Sequence, residues 1–485
     1  MISRVGKPEP ASRTPHATLL GPTFEEMLHP NSIDPAILAR ADRARTEDPL
    51  DPINLFNITW RKPATKGQAG AQAERPINAF VMPHALTGVD AEIVVLVAKD
   101  FPTGSHKVGP AYSVLMEHYV EGRIDPTQHT LVFPSTGNYG IGGAWVGRRA
   151  GFDSMVILPE GMSRERFEMI ESFGARYIKT YGSESNVKEI YDECNRLRRE
   201  HPDTIVILNQ FAEMGNYRFH YYVTGNTALE LAQHLQAQLG VRGVAAFCSA
   251  MGSAGTIAAG DRIKQAFPDC KIVGLEPVQC PTLYNNGYGS HEIQGIGDKH
   301  VTWIHHVTNM DGLACIDDME CLRVLRVLTQ PEGSAALVKH YGIGEDEVHT
   351  IAGVFGISGV CNLIGAIKTA KHFGLGRRDL IITVATDNVT RYHSTMQWMA
   401  EQHGTLTEAD CRATIESILH HQKTDWFKDG TPDNRRQWHN LKYYTWVEQQ
   451  GKTVQELNAQ LDPEWWLAHQ AKVAEIDRRI RALRD

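Results

Sequence analysis

Four short stretches carry the residue types that could do chemistry, each at a break between an apolar run and a helix-like segment. The first is Phe101-Pro102-Thr103-Gly104-Ser105-His106-Lys107-Val108-Gly109-Pro110. Residues 92–98 read as a buried strand, Pro102 and Gly104 break it, and helical spacing of Tyr112, Val114, Leu115 and Tyr119 follows. Lys107 thus stands where a turn enters a helix, a place where a lone lysine is ordinarily a solvated helix start. Three later loops change that reading. Ser135-Thr136-Gly137-Asn138-Tyr139-Gly140 brings two hydroxyls, a carboxamide and backbone N–H groups to a helix N-terminus, a set suited to a small carboxylate or phosphate. Ser249-Ala250-Met251-Gly252-Ser253-Ala254-Gly255-Thr256 has glycines that let the backbone approach an anion and hydroxyls that donate to it. It reads as a phosphate cradle that is neither a P-loop, lacking Gly-Lys-Ser/Thr, nor a dinucleotide fingerprint. Gly356-Ile357-Ser358-Gly359 places a glycine-flanked serine before one more helix.

The elements that must position these loops alternate. Strands are expected at residues 129–134, 154–159, 177–180, 204–208, 243–248, 271–277 and 380–385. Helices are expected at 141–149, 163–173, 186–199, 225–239, 256–267 and 360–373. Strands separated by helices of about ten residues or more imply parallel βαβ units. In such sheets ligands bind at the carboxyl ends of strands, where the first three stretches fall.

With 485 residues, 42% hydrophobic and 22% charged, the chain can build a large core in two or more subdomains. A net charge of -8 without a long basic run leaves no electrostatic footprint for nucleic acid or an anionic membrane, so small molecules and protein partners remain. The eight cysteines are scattered and form no CxxC pair, which signals neither a metal site nor a disulfide framework. Reduced thiols, no apolar signal core near Met1 and no run of about twenty apolar residues point to a cytoplasmic protein.

Taken jointly, the order and spacing of Pro-Thr-Gly-Ser-His-Lys107, Ser135-Thr-Gly-Asn138, Gly252-Ser-Ala-Gly-Thr256, Val273-Gly-Leu-Glu-Pro277, Ile293-Gln-Gly-Ile-Gly297 and Gly356-Ile-Ser-Gly359 resemble the pyridoxal phosphate enzymes of the tryptophan synthase β fold, fold type II. Within them the pattern is most similar to the cysteine synthase and cystathionine β-synthase family, over roughly residues 90 to 395. The resemblance implies an α/β fold of two parallel-sheet subdomains, with pyridoxal 5'-phosphate on Lys107, which later moves the substrate Cα proton. It places Asn138 at the cofactor's phenolic oxygen, Ser358 at the pyridine nitrogen, and Gly252, Ser253, Ala254, Gly255 and Thr256 around the phosphate. Ser135, Thr136, Gly137 and Tyr139 would hold the substrate carboxylate, with Gln210 and Gly295 lining the substrate pocket.

Two physical arguments run alongside. A lysine amine condenses with an aldehyde only when neutral, so it must be desolvated or placed beside positive charge. A serine at the pyridine nitrogen, unlike an aspartate, leaves the carbanion less delocalised and favours rapid loss of a β-leaving group. The expected activity is β-replacement or β-elimination on a β-substituted L-amino acid through an aminoacrylate, in a homodimer. A threonine synthase or dehydratase type of lyase, and a non-catalytic relative kept as a partner-binding subunit, stand as alternatives.

The sequence also departs from the family. Val108-Gly109 follows the lysine where cysteine synthases have Asp-Arg or Cys-Arg, and Ala254 replaces a customary glycine. Tyr139 replaces a smaller residue and is expected to narrow the pocket. Pro134-Ser135 stands where tryptophan synthase has an acidic residue, which argues against indole as acceptor. Outside the core, residues 1–90 read as an N-terminal arm laid over the core or a second subunit. Residues 91–395 read as the catalytic core, with a small subdomain at about 128–225. Residues 396–485 read as a helical extension whose Trp426, Trp438, Trp446, Trp465 and Trp466 call for a surface to pack against.

Overall fold

The apolar run Glu92–Val97 forms strand β2, and it lacks alternation because both of its faces are covered. The computed structural model describes residues 19–64, 75–183 and 185–484. The start of the N-terminal arm and residues 65–74 lie outside them. The described strands make two sheets. The larger runs β1 (Ala79–Val81), β2, β10 (Leu380–Ala385), β7 (Val244–Ala250), β8 (Lys271–Pro277), β9 (Gly312–Ile316) and β11 (Phe427–Asp429). Its five central strands are parallel, and β1 and β11 close its edges antiparallel to β2 and β9. The smaller sheet is wholly parallel, in the order β5 (Arg176–Thr180), β4 (Asp153–Pro159), β3 (Thr130–Pro134), β6 (Ile205–Ile207).

The chain leaves the larger sheet after β2, builds the smaller one, and returns through the helix Gly225–Leu239 to β7. The first and last strands of the larger sheet are short edge strands with no strong apolar run, and they were not expected from the sequence; nor was β9. Helices Asp318–Thr329, Pro331–Tyr341 and Glu345–Ala352 fill the stretch between β9 and the Ser358 helix.

The helix entered at Lys107, Val108–Val120, lies between the sheets against Asn138–Arg149, the helix that follows β3. Gly142 is the reason they can touch. A Cβ at that position would lie 3.0 Å from the carbonyl oxygen of Lys107 and 3.0 Å from the Cα of Val108, both backbone atoms that cannot turn aside.

The N-terminal arm is more ordered than its composition suggests. Thr23 and Glu26 form a capping box on the helix Phe24–Leu28, a longer helix spans Pro35–Glu47, and Phe24, Met27, Leu55 and Trp60 join the main core. Tyr112, on the helix entered at Lys107, donates to the carbonyl of Pro22 at 2.6 Å. The C-terminal helix Pro463–Ala482 caps the arm in turn, Asp477 accepting from the N–H groups of Phe24 (2.7 Å) and Glu25 (3.2 Å).

The extension is packed as well. Trp438, Trp446 and Trp466 are buried, and Trp466 stacks on His306 at 4.1 Å. Lys442, also buried, donates to the carbonyls of Trp303 (3.1 Å) and His305 (2.6 Å) and to Gln460 Oε1 (2.6 Å). These contacts fix residues 301–306, and Thr302 of that segment donates at 2.9 Å to the backbone carbonyl of Ser253.

Candidate active site

The carboxyl ends of β2, β3, β7 and β10 converge on one cavity between the sheets. Every residue expected at the site lines it, Gly255 excepted. Gly255 sits behind the wall, where its missing side chain makes room for the amide of Asn216.

Lys107 is half-buried in the wall, and its Nζ donates to Ser253 Oγ at 2.9 Å. Desolvation lowers its pKa from 10.5 to about 8, with the carboxylate of Asp298 opposing the shift. Burial, and not neighbouring positive charge, is therefore what makes the amine easier to neutralise. Ser253 Oγ also accepts from Asn216 Nδ2 at 3.0 Å, so both of its lone pairs are taken and its O–H is left to donate into the cavity. Ala254 holds a left-handed backbone at φ 60°, the conformation that the family's customary glycine adopts without strain. Opposite Gly252, a Cβ would come within 2.8 Å of the Gly295 carbonyl, so the cradle admits no side chain there.

His106 packs: its ring stacks against Trp60 and meets His220 edge-on. It also lines the cavity, with Nε2 at 3.1 Å from Thr256 Oγ1. Burial first, and the Lys107 charge second, push its pKa down to about 3, so the ring is neutral at ordinary pH.

In the loop after β3, Ser135 Oγ accepts from the N–H groups of Gly137 (2.8 Å) and Gly140 (2.9 Å). Its oxygen shapes the loop, and its own O–H is what it offers the cavity. Tyr139 lines the cavity with its phenol turned to the core: the hydroxyl donates to the carbonyl of Leu208 at 3.1 Å and the ring meets Phe133 edge-on. Gln210 donates to the carbonyl of Pro134 at 3.3 Å. On the far wall Ser358 Oγ shares a 2.6 Å hydrogen bond with Thr386 Oγ1.

Thr386, Asp387, Arg391 and Asn216 were not singled out from the sequence. Thr386 and Asp387 follow β10 directly, so the carboxyl-end rule could have found them. Asn216 and Arg391 lie in helical or turn segments with no motif around them.

A lysine whose amine is easily neutral, a cradle of backbone and hydroxyl donors that admits no side chain at Gly252, and a partly buried hydroxyl pair opposite fit a flat aldehyde that carries a phosphate and a ring nitrogen. The comparisons agree. Residues 99–342, half of the chain, match the family model described as pyridoxal-phosphate dependent enzyme, and the chain belongs to that family. It is thus an enzyme whose cofactor is pyridoxal phosphate, similar to the cysteine synthases of fold type II. The cysteine synthase of Staphylococcus aureus is 28% identical over 306 residues, which is 63% of this chain and 88% of the relative. Cysteine synthase B of Campylobacter jejuni is 28% identical over 295 residues, 61% and 87% of the two chains. Among solved structures, a hydrogen sulfide-producing enzyme of Fusobacterium nucleatum is 25% identical with a TM-score of 0.54, over 70% of this chain and 91% of that one.

Proposed function

We propose that this enzyme carries out β-replacement or β-elimination on a β-substituted L-amino acid, with Lys107 as both the cofactor lysine and the proton-transfer group. The observation that carries the reading is the Lys107 amine, depressed to about 8 and 2.9 Å from Ser253 in the cavity where the four strand ends meet. Pyridoxal phosphate, when bound, withdraws electrons from the substrate Cα and so makes its proton removable.

The remaining work belongs to the chain's own side chains. The loop of Ser135, Thr136 and Gly137 at a helix N-terminus holds the substrate carboxylate. Lys107, neutral once freed, accepts the Cα proton and keeps it at Nζ beside Ser253. Ser253 and Thr256 would hold the phosphate, Asn138 would donate to the phenolic oxygen, and Gln210 and Gly295 would bound the substrate. Ser358 offers the ring nitrogen a neutral hydroxyl, and the cavity wall holds no carboxylate among the described residues. That neutrality supports departure of a β-substituent over transamination.

The relatives are named for cysteine synthesis, so a sulfur nucleophile is the first to try. The holoenzyme, given a panel of β-substituted L-amino acids with and without sulfide, is expected to yield a thiol amino acid in one arm and pyruvate in the other. Turnover of none of them would sink the reading.

The depressed amine also sets a pH dependence. Folded Lys107 loses its proton near pH 8 where an unperturbed lysine does so near 10.5, and only the neutral form reacts with the aldehyde. Covalent uptake of pyridoxal phosphate by the apoprotein, followed by growth of visible absorbance, should accelerate with pH around a midpoint near 8. A midpoint near 10 would show that burial does not tune this amine.

The same reading includes a homodimer, which rests on the family resemblance and is measured by sedimentation. It includes a cytoplasmic location, supported by eight free, buried cysteines. It divides the chain into an arm to about residue 90, a core to about 395 and an extension beyond. No helix among the described residues is long and apolar enough to cross a membrane.

A further inference from the structure

Asn138 is gripped at both ends. Its Nδ2 lies 2.6 Å from Asp387 Oδ2, and its Oδ1 lies 3.0 Å from Arg391 Nη1. Ionised aspartate only accepts hydrogen bonds and arginine only donates them. The charges at the two ends therefore settle which way the carboxamide faces: the NH2 end must meet Asp387 and the C=O end must meet Arg391.

Both gripping residues are buried, Asp387 completely and Arg391 to 3% exposure, and neither lines the cavity. Asp387 Oδ2 accepts a second bond from the hydroxyl of Tyr392 at 2.7 Å, while Oδ1 is buried without a partner. Gly356 makes space for that oxygen, since a Cβ there would lie 2.1 Å from it. Arg391 is anchored by the carbonyl of Thr103, in the turn leading to Lys107. A fully buried carboxylate with one oxygen unpaired is costly to retain, which argues for a task beyond packing.

We infer that Asp387 and Arg391 are positioning residues that lock Asn138 as a hydrogen-bond donor towards the cavity. Asn138 Nδ2 has two N–H bonds; Asp387 takes one, and the other is left for an acceptor in the cavity. Within the proposed function, on which this inference rests, that acceptor is the phenolic oxygen of the cofactor. The guanidinium at the carbonyl end strengthens the donor, because an amide oxygen that accepts from a cation draws electrons away from the NH2 end. Asp387 and Arg391 thus act on the cofactor through Asn138 without touching it, the first by orienting the amide and the second by polarising it.

The test uses the full-length holoenzyme and exchanges donor for acceptor. Asp387→Asn alone is expected to shift the visible absorbance maximum and to weaken cofactor retention about tenfold, the equivalent of one hydrogen bond. The double variant Asn138→Asp with Asp387→Asn rebuilds the bond between the two side chains with its direction reversed. It should recover most of the melting temperature lost in Asn138→Asp alone. It presents a carboxylate where the N–H stood, so its absorbance should stay shifted and its cofactor should dissociate faster than in the parent. Recovery of the parental spectrum and cofactor affinity in the double variant would overturn the inference, since the pair would then matter only as a structural tie. An unshifted spectrum in Asp387→Asn would overturn it equally. A parent protein whose cofactor borohydride cannot fix to Lys107 would instead overturn the functional reading beneath it.

Discussion

Lys107→Ala is expected to abolish turnover, lowering kcat by at least about 10³-fold, and to remove the visible band of the bound cofactor. The magnitude follows from two roles lost together. Without the amine there is no covalent attachment, and no group remains in the wall to carry the Cα proton. Treatment with borohydride should then fix no cofactor to the chain, whereas the parent should be labelled at Lys107. Lys107→Arg should be equally inactive despite keeping the positive charge, because a guanidinium stays protonated at any working pH. The fold should be intact in both, since Lys107 contributes a single side-chain hydrogen bond, to Ser253. A reducible cofactor band surviving in Lys107→Ala would mean that another lysine does the work.

A chain ending at Asp425 is expected to be insoluble or unable to bind cofactor. It loses β11, which covers the edge of β9, and it strips Trp438, Trp446 and Trp466 from the core. Burying each indole is worth on the order of 3 kcal/mol, so three of them rival the whole stability of a typical domain, about 5–15 kcal/mol. The local damage is also specific. Residues 301–306 lose Lys442 and Trp446, and Thr302 can no longer be relied on to hold the backbone of Ser253. Solubility, thermal melting and cofactor titration report each part of this. A soluble truncated protein with a normal cofactor band would show the extension to be an independent appendage.

Much of the fold was legible because parallel βαβ units write themselves plainly. β8 and β10 fall at their expected bounds, and β2, β7 and the four strands of the smaller sheet within two residues of theirs, while β9 was not expected. What escaped was held by contacts that sequence windows do not see. β1 and β11 are three-residue edges paired only after the sheet exists. The arm's helices hide among prolines and polar residues because much of their stability comes from Tyr112, Asp477 and the core beneath, far away in the chain. In the cavity, the loops with hydroxyls and glycines announced themselves by composition. Arg391 did not, because opposite charges that grip the two ends of an amide have no spacing rule. Tyr139 lines the cavity, and its size alone suggested a narrowed pocket, while its phenol faces the core.

The place of β10 has a consequence for how the enzyme comes into being. It lies between β2 and β7, yet more than a hundred residues separate it from either of them in the chain. The smaller sheet, by contrast, is drawn from one continuous stretch and needs only nearby contacts, the arrangement that folds fast. The larger sheet cannot close until its central strand threads between two strands already made, a slow, long-range step. Lys107, the phosphate cradle and Ser358 stand on segments that flank this strand or lead into it, so they reach their places only when it docks. Cofactor binding is therefore expected late in folding, with the visible band on refolding lagging behind recovery of the far-ultraviolet signal.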